Sequence, residues 1–226
     1  IKEAKFKGKV VPGDVLMLET EIIKVKGPIG VGSAKATVDG KVVAQEGRKY
    51  YIMLNKPRGY LCSTSDDRGR KWVTGLIDGV NARLYPVGRL DFDSEGLILL
   101  TNDGDLAKKL THPTYEKKKI YQVSLDKHLT RADMEQMILG ITLEDGDIAA
   151  DDICYVDDPK MKNAVGIEIH SGRNRIVRRM FEHMGYHVGK LDRVYFAGLT
   201  KQKLKRGEWR FLTEKEVAML KSGSYE

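Results

Sequence analysis

A short loop that follows Tyr85 carries the side chains best suited to catalysis. Arg89 and Asp91 stand two residues apart, just before the apolar run 97–100. Gly88 lets the backbone turn before them, and the apolar run is long enough to form a buried strand. Asp91 is therefore expected on a loop supported by a rigid strand, where functional residues are common. A carboxylate held in this way can act as a nucleophile.

Two other interpretations fit part of this loop. Its acids begin like an EF-hand calcium loop at Asp91, Asp93 and Glu95. That loop needs a bidentate glutamate at its twelfth position, which here is Asn102, and the apolar run would fill the ligand half. No metal site is therefore predicted. On composition alone, an acidic turn whose side chains only accept backbone hydrogen bonds remains open.

Gly88-Arg89-Leu90-Asp91 resembles the signature motif of the pseudouridine synthases of the RsuA/RluB kind, which modify ribosomal RNA. The similarity extends over residues of about 48 to 220, and further blocks of that family follow in order. They are Leu54–Tyr60, Lys119–Val123, Gly172–Met180, Leu191–Arg193 and Leu204–Leu212. Several ordered blocks at plausible spacing are far more specific than any single motif.

The resemblance implies isomerisation of a specific uridine in RNA, in which uracil leaves its ribose at N1 and rejoins it through C5. This reaction needs a nucleophilic carboxylate but no metal, redox centre or nucleotide cofactor. By resemblance, Asp91 is the nucleophile, Arg89 is its ionic partner and Tyr121 is the aromatic platform for the base. A stacked uridine is out of reach, so the nucleotide must first be extruded into a pocket.

Basic side chains in three of the blocks are candidate RNA contacts. Arg175, Arg178 and Arg179 recur at helical spacing, which predicts one helix face, and by resemblance an RNA clamp. The start of the same helix also offers free backbone amides to phosphate. For Lys56 and Arg58, the alternative is that they are solvent-exposed turn charges without a function. The full set of candidate RNA contacts is Lys56, Arg58, Lys119, Arg173, Arg175, Arg178 and Arg179.

The charge distribution favours a nucleic-acid partner more than the net charge of +7 does. Residues 133–158 contain nine acids and no Lys or Arg, whereas residues 171–215 hold twelve Lys or Arg against four acids. A concentrated basic surface attracts phosphate backbones. Cys62 and Cys154 are lone thiols, which suggests neither a disulfide framework nor a zinc site. The lack of a long apolar run or secretory start predicts a cytoplasmic protein without a membrane partner.

The pattern of elements predicts an α+β domain at 48–222, with an N-terminal half 48–114 and a C-terminal half 115–222. Few parallel crossover units appear, so we expect a largely antiparallel mixed sheet with flanking helices, as in the pseudouridine synthase fold. The main strands are predicted near 51–55, 97–101, 115–125, 164–170, 188–193, 195–198 and 208–212. Helices are predicted near 72–77, 105–110, 134–139 and 175–184.

Residues 1–47 form a separate β-rich segment in this interpretation. Residues 1–46 resemble the C-terminal part of the hotdog-fold 3-hydroxyacyl-acyl-carrier-protein dehydratases, and no Arg-rich helical module of the S4 type is visible. Val15–Lys26 and Val31–Val38 predict a long hairpin around Gly27–Gly30. The first histidine of the chain is His112, so dehydratase chemistry is not expected, and the glycines make no convincing phosphate loop.

Two rival functions remain open from the sequence. The chain could be an RNA-binding or ribosome-assembly protein with little or no turnover, because phosphate contacts and base stacking do not require catalysis. The N-terminal segment could act as a dimerisation element. The sequence leaves the oligomeric state and the identity of the uridine undetermined.

Overall fold

The structure, a computed structural model, describes residues 10–26, 29–46, 48–64, 69–112, 117–156 and 162–224. It divides into two compact units, Ile1–Lys49 and Tyr50–Glu226. Within the described residues, no helix is both long and apolar enough to cross a membrane.

The first unit is a three-stranded antiparallel sheet of β1 (Leu16–Lys26), β2 (Ile29–Val38) and β3 (Lys41–Glu46), in that order. Strands β1 and β2 form the predicted hairpin, although residues 27 and 28 of its turn lie outside the described part of the chain. Strand β3 was not predicted. Its signal is Asp39-Gly40, where both residues adopt a positive φ, as the favoured two-residue hairpin turn requires.

The second unit contains eleven strands, four helices and one short 3-10 helix among its described residues. The strands are β4 (Tyr51–Lys56), β5 (Tyr85–Val87), β6 (Glu95–Thr101), β7 (Lys119–Leu125), β8 (Ile141–Leu143), β9 (Gly146–Ile148), β10 (Asp152–Tyr155), β11 (Ala164–Ile169), β12 (Val188–Phe196), β13 (Leu199–Thr200) and β14 (Trp209–Phe211). The helices are α1 (Gly104–Thr111), α2 (Arg131–Leu139), α3 (Ile176–His183) and α4 (Glu214–Ser222), and the 3-10 helix is Val73–Leu76.

Nine of these strands form one sheet in the order β10-β11-β7-β12-β6-β4-β14, with β13 beside β12 and β5 beside β6. Every pair is antiparallel except β12 with β6, which confirms the predicted mixed and largely antiparallel sheet. Strand β6 is buried on both faces: Ile98 and Leu100 join one hydrophobic cluster, while Leu97 and Leu99 join another. A strand covered on both faces has a continuous apolar sequence. This explains the apolar run 97–100 that follows the loop of Asp91.

Several predicted boundaries need correction. Helix α1 begins at Gly104, one residue before the predicted start, and Asp103 caps it by accepting a hydrogen bond from the amide of Leu106. Strand β7 begins at Lys119, and residues 113–116 lie outside the described residues. Helix α3 begins after Arg175, whose backbone is left-handed.

Two parts of this unit were missed from the sequence. No strand was predicted between residues 139 and 164, where the structure contains the β8–β9 hairpin and β10. The end of the chain contains helix α4, which begins with a capping box between Thr213 and Glu216, a local signal that was available in the sequence.

Candidate active site

The candidate loop is a tight turn from Asp91 to Ser94 that joins β5 to β6. The amide of Ser94 donates to the carbonyl oxygen of Asp91 over 3.1 Å. Lys56, the last residue of β4, lies beneath this turn with 0% of its surface exposed. Its ammonium donates to the carbonyl oxygens of Asp91 (2.9 Å), Ser94 (2.6 Å) and Pro57 (3.2 Å). A buried cation therefore fixes both ends of the turn.

Lys56, predicted as an RNA contact, is buried in this structure. Burial lowers the pKa of its ammonium, and the charges of Asp91 and Asp93 oppose that effect. A lysine buried away from water must satisfy its donors inside the protein, and here three carbonyl oxygens do so. Its role is to hold the loop.

Two residues that follow β4 in the chain, Gly59 and Cys62, also contact the loop. The amide of Gly59 donates to the carbonyl oxygen of Phe92 over 2.8 Å. The sulfur of Cys62 contacts both the amide and the carbonyl oxygen of Leu90 at 3.2 Å. Burial raises the pKa of the Cys62 thiol, which favours a neutral hydrogen-bonding group. Gly88 adopts a φ of 74°, the turn conformation that its position before Arg89 predicted.

The charged partner that the structure gives Asp91 is Arg175, not Arg89. Nη1 of Arg175 lies 3.4 Å from Oδ2 of Asp91, whose side chain is 28% exposed. Arg89 is exposed and forms no hydrogen bond or ion pair with any described residue. The sequence interpretation paired Arg89 with Asp91, whereas the structure pairs Asp91 with Arg175.

Asp93 forms ion pairs with two arginines, Arg175 and Arg178. The guanidinium of Arg175 binds both of its carboxylate oxygens, at 3.1 and 3.3 Å. Arg178 lies 3.2 Å from the Asp93 carboxylate and 3.2 Å from its carbonyl oxygen. Partial burial alone would raise the pKa of Asp93, but the hydrogen bonds from Arg175 and the charge of Arg178 lower it overall. Asp93 therefore stays ionised as the link between the loop and α3.

The three arginines predicted as a clamp on one helix face have three different environments. Arg175 precedes α3 with a left-handed φ of 48°, a strained conformation for a residue with a side chain. Arg178 is 5% exposed in its side chain and donates to the carbonyl oxygen of Val188 over 2.8 Å. Arg179 binds the carboxylates of Glu144 and Asp145 between β8 and β9. The three arginines therefore do not share one exposed helix face, and Arg178 is buried against Asp93; their contact with RNA stays a prediction.

Arg173 and Arg179 fasten the β8–β9 hairpin to the start of α3. Arg179 binds the carboxylates of Asp145 and Glu144 at 2.5 and 2.9 Å. Arg173 donates to the side chain of Asp145 and to the carbonyl oxygens of Asp145, Gly146 and Asp147, at 2.9 to 3.0 Å. The acidic stretch of the sequence thus neutralises part of the basic block, an arrangement that charge counts alone do not reveal.

A cleft of about 900 Å³ opens beside the loop. Its lining includes Arg89, Asp91, Tyr121, Arg173 and Arg175. Tyr121 lies on β7 with 8% of its surface exposed. The structure thus brings together at one cleft the three residues predicted to be catalytic, although Arg89 and Asp91 do not pair.

Lys119 and Arg58, the other two predicted RNA contacts, differ in their surroundings. The ammonium of Lys119 donates to the carbonyl oxygens of Lys117, His170 and Ser171, at 2.8, 2.7 and 3.3 Å. Lys119 therefore ties β7 to the segment before α3 at the wall of the cleft. Arg58 is exposed, as an RNA contact requires.

Arg193 and Ser94 are cleft residues that the sequence interpretation did not single out. Arg193 pairs in register with Tyr121 on the neighbouring strand, is 3% exposed and donates through Nε to the carbonyl oxygen of Leu97. Its Nη2 and the hydroxyl of Ser94 are buried without a hydrogen-bond partner among the described residues. Arg193 is the last residue of the block Leu191–Arg193, so the resemblance included this residue but did not indicate that it is buried beside Tyr121.

The described residues contain no cluster of three or more His, Cys, Asp or Glu side chains placed to hold a metal ion. The cleft is lined by the carboxylates of Asp91, Asp147 and Asp151, by the ring of Tyr121 and by several cations. A carboxylate with 28% of its side chain exposed, on a loop fixed from below, can approach an electrophilic carbon of a substrate in the cleft.

Comparison with known proteins gives consistent matches. The family described as RNA pseudouridylate synthase matches residues 50–183, and the FabA-like domain matches residues 1–46. Ribosomal large subunit pseudouridine synthase B of Bacillus subtilis (strain 168) is 40% identical over 227 residues, covering 98% of this chain and 87% of that protein. Ribosomal small subunit pseudouridine synthase A of Escherichia coli (strain K12) is 33% identical, covering 93% and 91%.

A solved structure described as a pseudouridylate synthase superimposes with a TM-score of 0.70 at 29% identity, covering 91% of this chain and 88% of that one.

Proposed function

The chain belongs to the RNA pseudouridylate synthase family, which converts uridine in RNA to pseudouridine, and we propose that Asp91 performs this isomerisation on a uridine of ribosomal RNA. The observation that carries the proposal is the Asp91 carboxylate, partly exposed in a cleft of about 900 Å³ on a loop held by buried Lys56. The relatives named for the large and small ribosomal subunits support the substrate class.

The reaction rearranges bonds within one nucleotide. The bond between N1 and C1′ breaks, the uracil turns over, and a bond between C5 and C1′ forms. C5 loses its hydrogen and N1 gains one, so the product is an isomer of the substrate. An ionised carboxylate beside C1′ can attack that carbon or stabilise positive charge on the ribose. Asp147 and Asp151 also line the cleft, but Asp91 stands on the loop that Lys56 holds, and we assign either task to Asp91.

The cations around Asp91 have separable tasks in this proposal. Lys56 binds the carbonyl oxygen of Asp91 and leaves its carboxylate free. Arg175 approaches that carboxylate at 3.4 Å but is bound more closely by Asp93. Sharing Arg175 in this way orients the Asp91 carboxylate without fully neutralising it, which suits a group that must act as a nucleophile.

Tyr121 is proposed as the platform for the extruded base. It lies in the same cleft as Asp91, and its ring can stack on uracil while its hydroxyl is available for proton transfer at C5. Arg89, which lines the cleft, and Arg58, next to the Gly59 that binds the loop, are exposed and are proposed to contact RNA phosphates. Arg173 and Arg179 are proposed to support the cleft wall through the β8–β9 hairpin.

A single-turnover assay with a uridine-containing ribosomal stem-loop tests the proposal. Release of the C5 hydrogen reports isomerisation, and a separate binding assay reports affinity. Asp91→Asn should keep RNA binding and abolish isomerisation. Asp152→Asn is a matched control, because this carboxylate is exposed on β10 outside the cleft, and it should retain full activity.

RNA binding without turnover is the alternative function. It is not favoured, because the relatives at 33–40% identity over most of the chain are named as synthases. Failure of the unmutated chain to isomerise any ribosomal RNA fragment would overturn the proposed function and restore that alternative.

A further inference from the structure

Phe92 is an exposed aromatic residue on an otherwise fixed loop. It lies between Asp91 and Asp93, and 48% of its surface is exposed. Its carbonyl oxygen accepts a hydrogen bond from Gly59, while Lys56 holds the carbonyl oxygens on either side, those of Asp91 and Ser94. The backbone therefore presents the ring at a fixed place, although leaving so much apolar surface in water forfeits hydrophobic stabilisation.

Single exposed aromatic residues are common on protein surfaces, so the position of Phe92 is what gives it meaning. Asp91 and Ser94 line the cleft, whereas Phe92 is not among its described lining residues. Phe92 is therefore next to the cleft in the chain without forming part of its wall. Consecutive Cα atoms are about 3.8 Å apart, so its anchor is one residue from the carboxylate that must reach C1′.

The charge around Phe92 fits a nucleic-acid partner. Arg89 is exposed three residues before it, and Arg58 is exposed beside Gly59, which binds the Phe92 backbone. Exposed arginines next to an exposed aromatic ring match the two needs of RNA, which are phosphate contacts and base stacking.

Extrusion of a uridine leaves a gap in the RNA base stack, and unstacking costs a few kcal/mol. The gap lies next to the ribose of the extruded nucleotide, which is the ribose that Asp91 must contact. We propose that Phe92 fills this gap by stacking on the bases that flank the extruded uridine. This inference rests on the proposed function and adds to it the residue that holds the target nucleotide outside the RNA helix.

The test compares two stem-loops that differ only in the target uridine, which is base-paired in one and bulged in the other. Under single-turnover conditions, Phe92→Ala should slow isomerisation of the paired substrate about 10-fold or more, the loss expected from one base–aromatic stack. The bulged substrate should slow by less than about 3-fold, because its uridine is already unstacked.

Two substitutions at the same site separate stacking from packing. Phe92→Tyr keeps an aromatic face and should retain activity on both substrates, whereas Phe92→Leu keeps apolar bulk and should behave like Phe92→Ala. Phe211→Ala is the matched control, since Phe211 is 49% exposed on β14 and should leave the ratio of the two rates unchanged. A general loss of stability would slow both substrates equally and would not alter that ratio.

Equal effects of Phe92→Ala on both substrates, or full rescue by leucine, would overturn the stacking role of Phe92. These results differ from failure of the proposed function, in which the unmutated chain isomerises neither substrate. A fluorescent base next to the target uridine gives a second measurement that does not need turnover. In the Asp91→Asn background its emission should change on binding, and adding Phe92→Ala should remove that change.

Discussion

The ammonium of Lys56 lies 2.9 Å from the carbonyl oxygen of Asp91, so the backbone of the proposed nucleophile is fixed by a lysine 35 residues earlier in the chain. The same ammonium binds the carbonyl oxygen of Ser94 at 2.6 Å. Both ends of the turn thus share one buried donor, and the carboxylate of Asp91 remains available to the cleft. Several measurable consequences depend on this separation of backbone and side-chain contacts.

Replacing Lys56 with methionine should destabilise the protein and slow catalysis without weakening RNA binding. Methionine fills similar space but leaves three carbonyl oxygens without their donor, and each lost partner of a buried polar group costs about 1–3 kcal/mol. We expect the free energy of unfolding to fall by about 2–4 kcal/mol in denaturant titrations. A large loss of RNA affinity at unchanged stability would instead show that Lys56 contacts RNA.

Asp93 should act as a positioning residue through its control of Arg175. In Asp93→Asn, Arg175 loses its bidentate partner and its charge is left to Asp91, which weakens that carboxylate as a nucleophile. We expect kcat to fall about 10-fold, consistent with loss of a charged hydrogen bond, with little change in KM. Loss of stability with an unchanged kcat would indicate that Asp93 only supports the fold.

Arg58 and Arg89 should contribute to RNA binding through phosphate contacts. The slope of log K against log salt concentration should become shallower by about 0.7–0.9 for each arginine replaced by alanine. Lys56→Met is the appropriate comparison, because its buried charge should leave the slope unchanged. If neither arginine variant alters the salt dependence, the basic rim of the cleft does not bind the RNA backbone.

Glu216 should give the protein a component of stability that acid removes. Two hydrogen bonds from Arg210, at 2.8 and 2.7 Å, lower the pKa of Glu216 from 4.5 to about 2. A depressed pKa in the folded state means that the contribution is present above pH 4.5 and is lost as pH falls towards 2. The side chains are 22% and 37% exposed, so solvent screening reduces the expected contribution to about 1–2 kcal/mol.

Glu216→Gln tests this pH dependence, because glutamine can keep the capping hydrogen bond while losing the charge. Denaturant unfolding at neutral pH should show the variant less stable than the unmodified chain. The difference should narrow towards zero as the pH approaches 2. A difference that stays constant over this range would assign the effect to hydrogen bonding alone.

Much of the fold was predictable because its signals are local. The apolar run at 97–100 identified a buried strand, and the helix predicted near 134–139 is present as α2. The β8–β9 hairpin and β10 were missed because their strands are only three or four residues long. Such strands acquire their conformation from neighbours, here from arginines near α3, rather than from their own hydrophobic pattern.

The sequence by itself determined the family, the sheet class and the loop on which Asp91 stands, since motif order, apolar periodicity and turn residues are written along the chain. The tertiary structure alone decided which charges meet. It paired Asp91 with Arg175 instead of Arg89, buried Lys56 beneath the loop, and enclosed Arg178 against Asp93, 85 residues away. The physical reason is that desolvation and ion pairing depend on distances between folded elements, and residue type and spacing do not fix those distances.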